Sequence, residues 1–138
     1  MASIEREVER GLLNAVSGVT GVNAYTSERE SPRILPSLVA QARIGDELLG
    51  PFTGVFSVPA TLTYTARADN NTRASFDLKF QSIMAELYRD PDLPTYLTNC
   101  TSATFYLARV TNESPQIIAT NRTWSKTISL DINVTAKK

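Results

Sequence analysis

The chain has 138 residues, the length of a single domain, and a domain of this size buries roughly two thirds of its unfolded surface without needing disulfides or metals. Its 14 basic residues balance 14 acidic ones, so the composition lacks the basic surplus of a protein that binds nucleic acid through phosphates. With one cysteine and no histidine, the chain has no intrachain disulfide and lacks the commonest zinc ligand and the usual general base, as is typical of a cytosolic protein without catalytic activity.

The first predicted element is a helix. Apolar residues recur at helical spacing from Ile4 to Val19, Ser3 is in position to cap the helix, and Gly18 and Gly21 are stop signals. The charged N-terminus has no apolar run of the kind found in a signal peptide. No stretch of the chain reaches the roughly 18 apolar residues that a transmembrane helix needs, so we expect no contact with a membrane.

A polar stretch without periodicity, residues 21–36, follows this helix. It is typical of a long loop or an extended arm. We take three adjacent charged residues in it as candidates for a subunit interface: Glu28, Arg29 and Glu30.

Two alternating segments come next and predict a hairpin. Apolar residues occupy every second position from Leu38 to Ile44 and again from Phe56 to Ala66. The short turn-rich link between them favours antiparallel pairing. Pro59 has no N–H group, which predicts either an edge strand or a bulge at that point.

The link of this hairpin is unusually apolar for a turn. Leu48, Leu49, Pro51 and Phe52 lie between the two strands, where a turn is normally polar. Exposed apolar clusters of this kind often mark a contact surface. The alternative is that the loop folds back onto the core. We take Leu48, Leu49 and Phe52 as candidate interface residues, and we expect their replacement by serine to impair assembly of a chain that still folds.

A second amphipathic helix is predicted after residues 69–72. Its apolar stripe runs from Phe76 to Leu87, and Asp90 with Pro91 stops it. The segment around Pro94 is predicted to be a loop.

The last third of the chain predicts three strands. Residues 103–110 are apolar on both sides, as in a central strand, and a turn follows at 112–115. Residues 117–118 begin a short strand, and residues 124–134 alternate between apolar and polar. The order α-β-β-α-β-β-β predicts an α+β domain spanning residues 1–138, with one mixed or antiparallel sheet and two helices packed on one face.

The polar face of this sheet has an unusual composition. Exposed strands normally use charged side chains to discourage pairing with other chains. Here the predicted face carries mostly hydroxyls and amides, which fits either a surface that packs against a neighbour or an ordinary solvated face. Its members are Thr61, Thr63, Thr65, Thr127, Ser129 and Asn133.

Catalytic machinery is not apparent. The adjacent carboxylates at 46–47 and the pair at 90 and 92 lie in predicted turns, where aspartate is common for its hydrogen bonds to the backbone. The glycines match no nucleotide-binding or nucleophile motif. We expect no enzyme activity and no catalytic, cofactor or metal site.

Five Asn-x-Ser/Thr sequons leave a second possibility open. Such sites are glycosylated only in secreted proteins, and Thr-rich strands bordered by Asn turns also produce them. A small secreted or cytosolic binding module that acts as a monomer is therefore one alternative. The sequons start at Asn70, Asn99, Asn112, Asn121 and Asn133.

Taken together, the elements resemble the tail terminator (tail completion) proteins of long-tailed bacteriophages. The likeness covers most of the chain as a pattern of elements. It consists of an N-terminal helix, a loop with Glu28 and Glu30, a proline-led strand at 36–40, an alternating strand that ends in the loop 69–71, an amphipathic helix, Leu93-Pro94, and a last strand that starts at Trp124-Ser125.

This resemblance implies a structural virion protein that assembles in the host cytoplasm. Such proteins typically form a ring of six subunits that caps the tail tube, ends its polymerisation and joins it to the head. The implied partners are further copies of the chain, the tail tube protein and a head-completion or neck protein, with DNA at most passing through the ring. Another neck or head-completion connector protein would show a similar pattern of elements.

Overall fold

The structure is a computed structural model that describes residues 4–19, 22–26, 37–50, 53–67, 73–88, 92–114, 117–118 and 123–135. Within these residues the chain forms three helices and six strands. Their order is α1 (Ile4–Ala15), β1 (Asn23–Thr26), β2 (Ser37–Ala42), β3 (Val55–Arg67), α2 (Arg73–Leu87), α3 (Leu93–Cys100), β4 (Thr104–Ser114), β5 (Ile117–Ile118) and β6 (Thr123–Thr135).

All six strands belong to one mixed sheet, which confirms the predicted α+β class. The strand order is β1-β2-β3-β6-β4, and the short β5 pairs with β6. β1 runs parallel to β2, whereas the other pairs are antiparallel. The predicted hairpin is confirmed, because Ser37 pairs with Thr65 and Ala42 with Ala60.

The hydrophobic core lies between one face of this sheet and the helices. Strand alternation sends every second side chain to this face, and the apolar stripe of each helix covers it. Lys126 interrupts the apolar side of β6, and its Nζ lies 4.8 Å from the centre of the Phe80 ring, so a cation–π contact holds the charge there. Fully buried members of the core include Val8, Leu12, Leu62, Ile83, Leu97, Ile128 and Ile132.

The helices differ from the prediction in two places. α1 ends at Ala15, one turn before the apolar spacing ends. A third helix, α3, replaces the loop predicted around Pro94. The backbone N–H of Thr95 donates to the Asp92 carboxylate (3.3 Å), which caps the helix. Pro94 fits in the first turn because a backbone N–H at that position would have no partner within the helix.

The predicted arm at 21–36 is only partly described, and the described part is not a loop. Residues 23–26 form β1, parallel to residues 37–40 of β2. Because β1 has only four mostly polar residues, its sequence shows no periodicity. The strand is recognised only by its pairing with β2. The candidate residues Glu28, Arg29 and Glu30 lie outside the described residues.

Two predictions about strand position are wrong. β4 was expected to be a central strand, but it ends the strand order, and it continues through 112–114, where a turn was predicted. β3 lies inside the sheet, so Pro59 does not mark an edge. The bulge alternative is not found either, because the β3–β6 register runs without a shift through Pro59. The proline lies one residue past the last β2–β3 pair, Ala42 with Ala60. There Gly45 N donates to Ser57 O (2.6 Å), and a Cβ on Gly45 would lie 2.8 Å from that oxygen.

Two glutamates of α1 bind the edge of β2 beyond the last residue paired with β1. The Glu9 side chain is fully buried, and its Oε2 accepts hydrogen bonds from Ala42 N (2.8 Å) and from the Arg6 guanidinium (2.6 Å). One helical turn earlier, Glu5 accepts from Ile44 N (3.3 Å). The distance between residues i and i+4 on the helix thus matches the distance between residues i and i+2 of extended backbone. The two carboxylates accept hydrogen bonds from amides that have no neighbouring strand to accept them.

Tyr64 gives the core a measurable pH dependence. It is buried against Phe76, with the two ring centres 5.0 Å apart, and burial raises the pKa of its phenol above the ordinary value of about 10. The unfolded chain therefore ionises first, and we expect the free energy of unfolding to fall above pH 10. Urea unfolding across pH 8–11 tests this. Tyr64→Phe keeps the ring stacking, and its free energy of unfolding should fall less steeply with pH. An equal fall in both chains would contradict the assignment to Tyr64.

Candidate assembly surfaces

Hydrogen bonds link the two described sides of the tip of the β2–β3 hairpin. Leu48 N donates to Val55 O (2.7 Å), and Gly54 N donates to the Glu47 carboxylate (3.0 Å). The hydroxyl of Thr53 also donates to the carbonyl of Leu48 across the turn. These bonds hold the described part of the tip in one shape.

Leu49 projects from this tip into solvent. Its side chain is 85% exposed, more than any other large apolar side chain in the described residues. Its backbone has φ 65°, the left-handed region that leucine rarely adopts and that costs about 1–2 kcal/mol. Leu48 is half-buried. Of the candidate interface residues here, Leu49 is thus exposed, and Phe52 lies outside the described residues.

A groove runs along β4 on its outer side. Its volume is about 640 Å³. Residues 106–110 of β4 form one wall, and the C-terminal end of α2 with the N-terminal end of α3 forms the other. Two aromatic side chains at its rim, Tyr88 and Tyr106, are 70% and 61% exposed. The groove therefore offers a largely apolar surface with aromatic edges, a composition enriched in protein interfaces.

Few of the described residues that line the groove are charged. Arg109 lies on its β4 side, and its guanidinium is 3.6 Å from the carboxylate of Asp131 on β6. Asp92 on the opposite wall is engaged in the cap of α3. The Arg109–Asp131 pair is exposed, so it contributes at most about 1 kcal/mol to stability and leaves guanidinium donors for other acceptors.

The sheet face opposite the helices carries the hydroxyl-rich surface expected from the sequence. The register pairs Thr61 with Ser129 and Thr63 with Thr127, so their side chains share one face. Neighbouring hydroxyls bond to each other: Thr63 to Thr127 at 3.1 Å, and Thr65 to Ser125 at 3.2 Å. These side chains are only half exposed because they shield one another.

Other kinds of site are not found in the described part of the chain. No group of three or more acidic, cysteine or histidine residues there could hold a metal ion. No described helix is long and apolar enough to cross a membrane. Two smaller cavities, of about 270 and 220 Å³, lie at the base of the hairpin and between α1 and β1.

Sequence reasoning found the tip but missed the groove. The signal was present, because β4 is apolar on both sides although it lies at the end of the sheet. The groove also needs α3, which had been assigned to a loop. Comparison with models of known protein families and with curated protein sequences finds no match to this chain.

Proposed function

We propose that this chain is a structural protein of a bacteriophage virion, a tail terminator whose copies form a ring of six. The ring caps the finished tail tube, ends its polymerisation and presents a surface to the head or neck. Its partners are further copies of the chain, the tail tube protein and a head-completion protein. Its work is done by interfaces, without a cofactor.

The observation that supports this most is the presence of two distinct apolar surfaces at separate places on one small chain. One is the hairpin tip with Leu49, and the other is the groove along β4 with Tyr88 and Tyr106 at its rim. A ring of identical subunits needs two different, complementary patches on each subunit. The resemblance of the element order to tail terminators adds the biological setting.

The hydroxyl face of the sheet provides a third surface. It has few charges, and several of its hydroxyls are already bonded to each other. Such a face loses little hydration when it is covered, because part of its hydrogen bonding is internal. In a ring built through the tip and the groove, this face is left for the tail tube protein, the head-side partner or the lumen.

Native mass spectrometry with negative-stain imaging tests the proposal. We expect a closed particle of six times 15.2 kDa with an open centre. A chain that stays monomeric at high concentration, or that carries glycan mass when produced by a secreting cell, would overturn the proposal in favour of a small binding module. A closed ring of another size would retain the assembly role and reject six as the number of subunits.

A further inference from the structure

β4 has the composition of a covered strand but lies at the end of the sheet. Its described neighbour is β6 on one side, and no described strand pairs with its other side. Phe105, Ala108 and Val110 pack toward the core, while Tyr106 and Leu107 make the strand apolar away from it as well. Strands that are apolar on both faces are normally buried, and exposed apolar edges tend to pair with other chains.

Two stretches of the described backbone that lack a neighbouring strand are treated differently. Past the end of β1, the amides of Ala42, the last residue of β2, and of Ile44 donate to the carboxylates of Glu9 and Glu5. Along residues 106–110 of β4, no described side chain donates to or accepts from the backbone; the nearest such bond joins Phe105 N to the Thr98 hydroxyl (2.9 Å). Among the described residues, the edge of β4 beside the groove is therefore left open, whereas the stretch past the end of β1 is closed by carboxylates.

The hairpin tip has the chemistry that this groove would accept. Its leading side chain, Leu49, is apolar and small compared with the volume of the groove. Behind it stand two exposed carboxylates, Asp46 and Glu47. Among the described residues that line the groove, the only cation is Arg109, whose ion pair with Asp131 is long (3.6 Å) and exposed. When Leu49 enters the groove, the carboxylates of Asp46 and Glu47 therefore face the Arg109 guanidinium, and their opposite charges attract.

The tip does not fill the groove of its own chain. Leu49 is 85% exposed and is not among the residues that line the groove. The tip adjoins the outermost β3–β6 pair, Val55 with Thr135, and β4 lies two strand spacings, about 10 Å, from β3. A contact between tip and groove would therefore join two molecules.

We propose that the hairpin tip of one copy inserts Leu49 into the β4 groove of the next copy, between Tyr88 and Tyr106, with Asp46 and Glu47 facing Arg109. The hairpin tip and the β4 groove would then be the two surfaces that join neighbouring subunits of the ring. This inference rests on the proposed function. Repeated around an axis, the contact closes into a ring.

Cross-linking between two differently labelled chains tests this contact. In a Cys100→Ser background, Leu49→Cys and Tyr106→Cys chains are purified separately, mixed and treated with a short bismaleimide. We expect the mixture to yield cross-linked dimers at least several-fold above either chain alone. The matched control replaces Tyr106→Cys with Leu78→Cys, at an exposed leucine of α2 outside the groove. Equal cross-linking of the 49–106 and 49–78 mixtures would overturn the contact.

Native mass spectrometry of the unmodified chain separates the two proposals. If a ring forms but residues 49 and 106 do not cross-link, the proposed ring stands and this contact is wrong. If they cross-link but the particle contains only two copies, the contact stands and the ring is wrong. A monomer without cross-links rejects both.

Discussion

Leu49→Asn is expected to abolish ring formation while leaving the subunit at least as stable as before. Asparagine adopts the left-handed backbone of φ 65° more readily than leucine, so the substitution should relieve up to about 1 kcal/mol of strain. It also removes the apolar side chain that we place in the neighbouring groove. Burying one leucine is worth about 1.5–3 kcal/mol, so the association constant of each contact should fall by roughly 10-fold or more.

Leu78→Asn is the matched control. Leu78 is 66% exposed on α2 and belongs to neither the tip nor the groove. There the same substitution costs about 0.5 kcal/mol in helix propensity and should leave association unchanged. Sedimentation velocity over a range of concentrations measures association, and urea unfolding measures stability. Leu49→Asn chains that unfold much more easily would show that Leu49 is part of the core, and unchanged association would show that the tip is not an interface.

The second large effect is expected at Glu9, where substitution should destabilise the subunit itself. Glu9→Ala leaves the Ala42 amide without its carboxylate acceptor and removes one partner of the partly buried Arg6. An unsatisfied buried donor costs about 1–3 kcal/mol, and hydrogen bonds to charged groups lie at the upper end of such values. We expect a loss of about 2–3 kcal/mol, read from the urea midpoint at unchanged slope.

Two related variants show whether the carboxylate or the mere presence of a side chain matters. Glu9→Gln keeps an acceptor oxygen for Ala42 and loses the charge, so its loss should be smaller than that of Glu9→Ala. Glu5→Ala removes a longer, exposed bond to Ile44 and should cost less than about 1 kcal/mol. If Glu9→Ala cost no more than Glu5→Ala, the Glu9–Ala42 bond would not stabilise the edge of β2.

The position of β4 shows where sequence and structure diverge in an informative way. Its apolar pattern predicts a central strand, yet the described chain places it at the edge with Tyr106 exposed. In a protein that works alone, this would be an aggregation hazard. The pattern is consistent with the proposed assembly, in which the neighbour that covers the strand belongs to another molecule. The difference between prediction and structure therefore supports the proposed interface.

The elements whose pattern reports burial could be determined from the sequence by itself. The alternation at 38–42, 56–66 and 124–134 and the stripe from Phe76 to Leu87 reveal which side of each element meets the core, since a buried face is mostly apolar. The predicted continuation to Ile44 is wrong, because β2 ends at Ala42 and Ile44 is exposed. The short link at 45–54 also determines that its two strands pair as a hairpin. The apolar tip could be found in the same way, because leucine in a turn contradicts the expected polarity.

The tertiary structure alone decided which elements are neighbours and which way the tip side chains point. Periodicity carries no information about pairing order, so it could not show that β6 lies between β3 and β4, that 23–26 joins the sheet, or that Glu9 reaches Ala42 across 33 residues. The groove exists only because α3 and β4 come together, and the exposure of Leu49 depends on one left-handed backbone angle. These features depend on contacts between segments that are distant in the sequence, and the free energy of such contacts cannot be derived from a local sequence pattern.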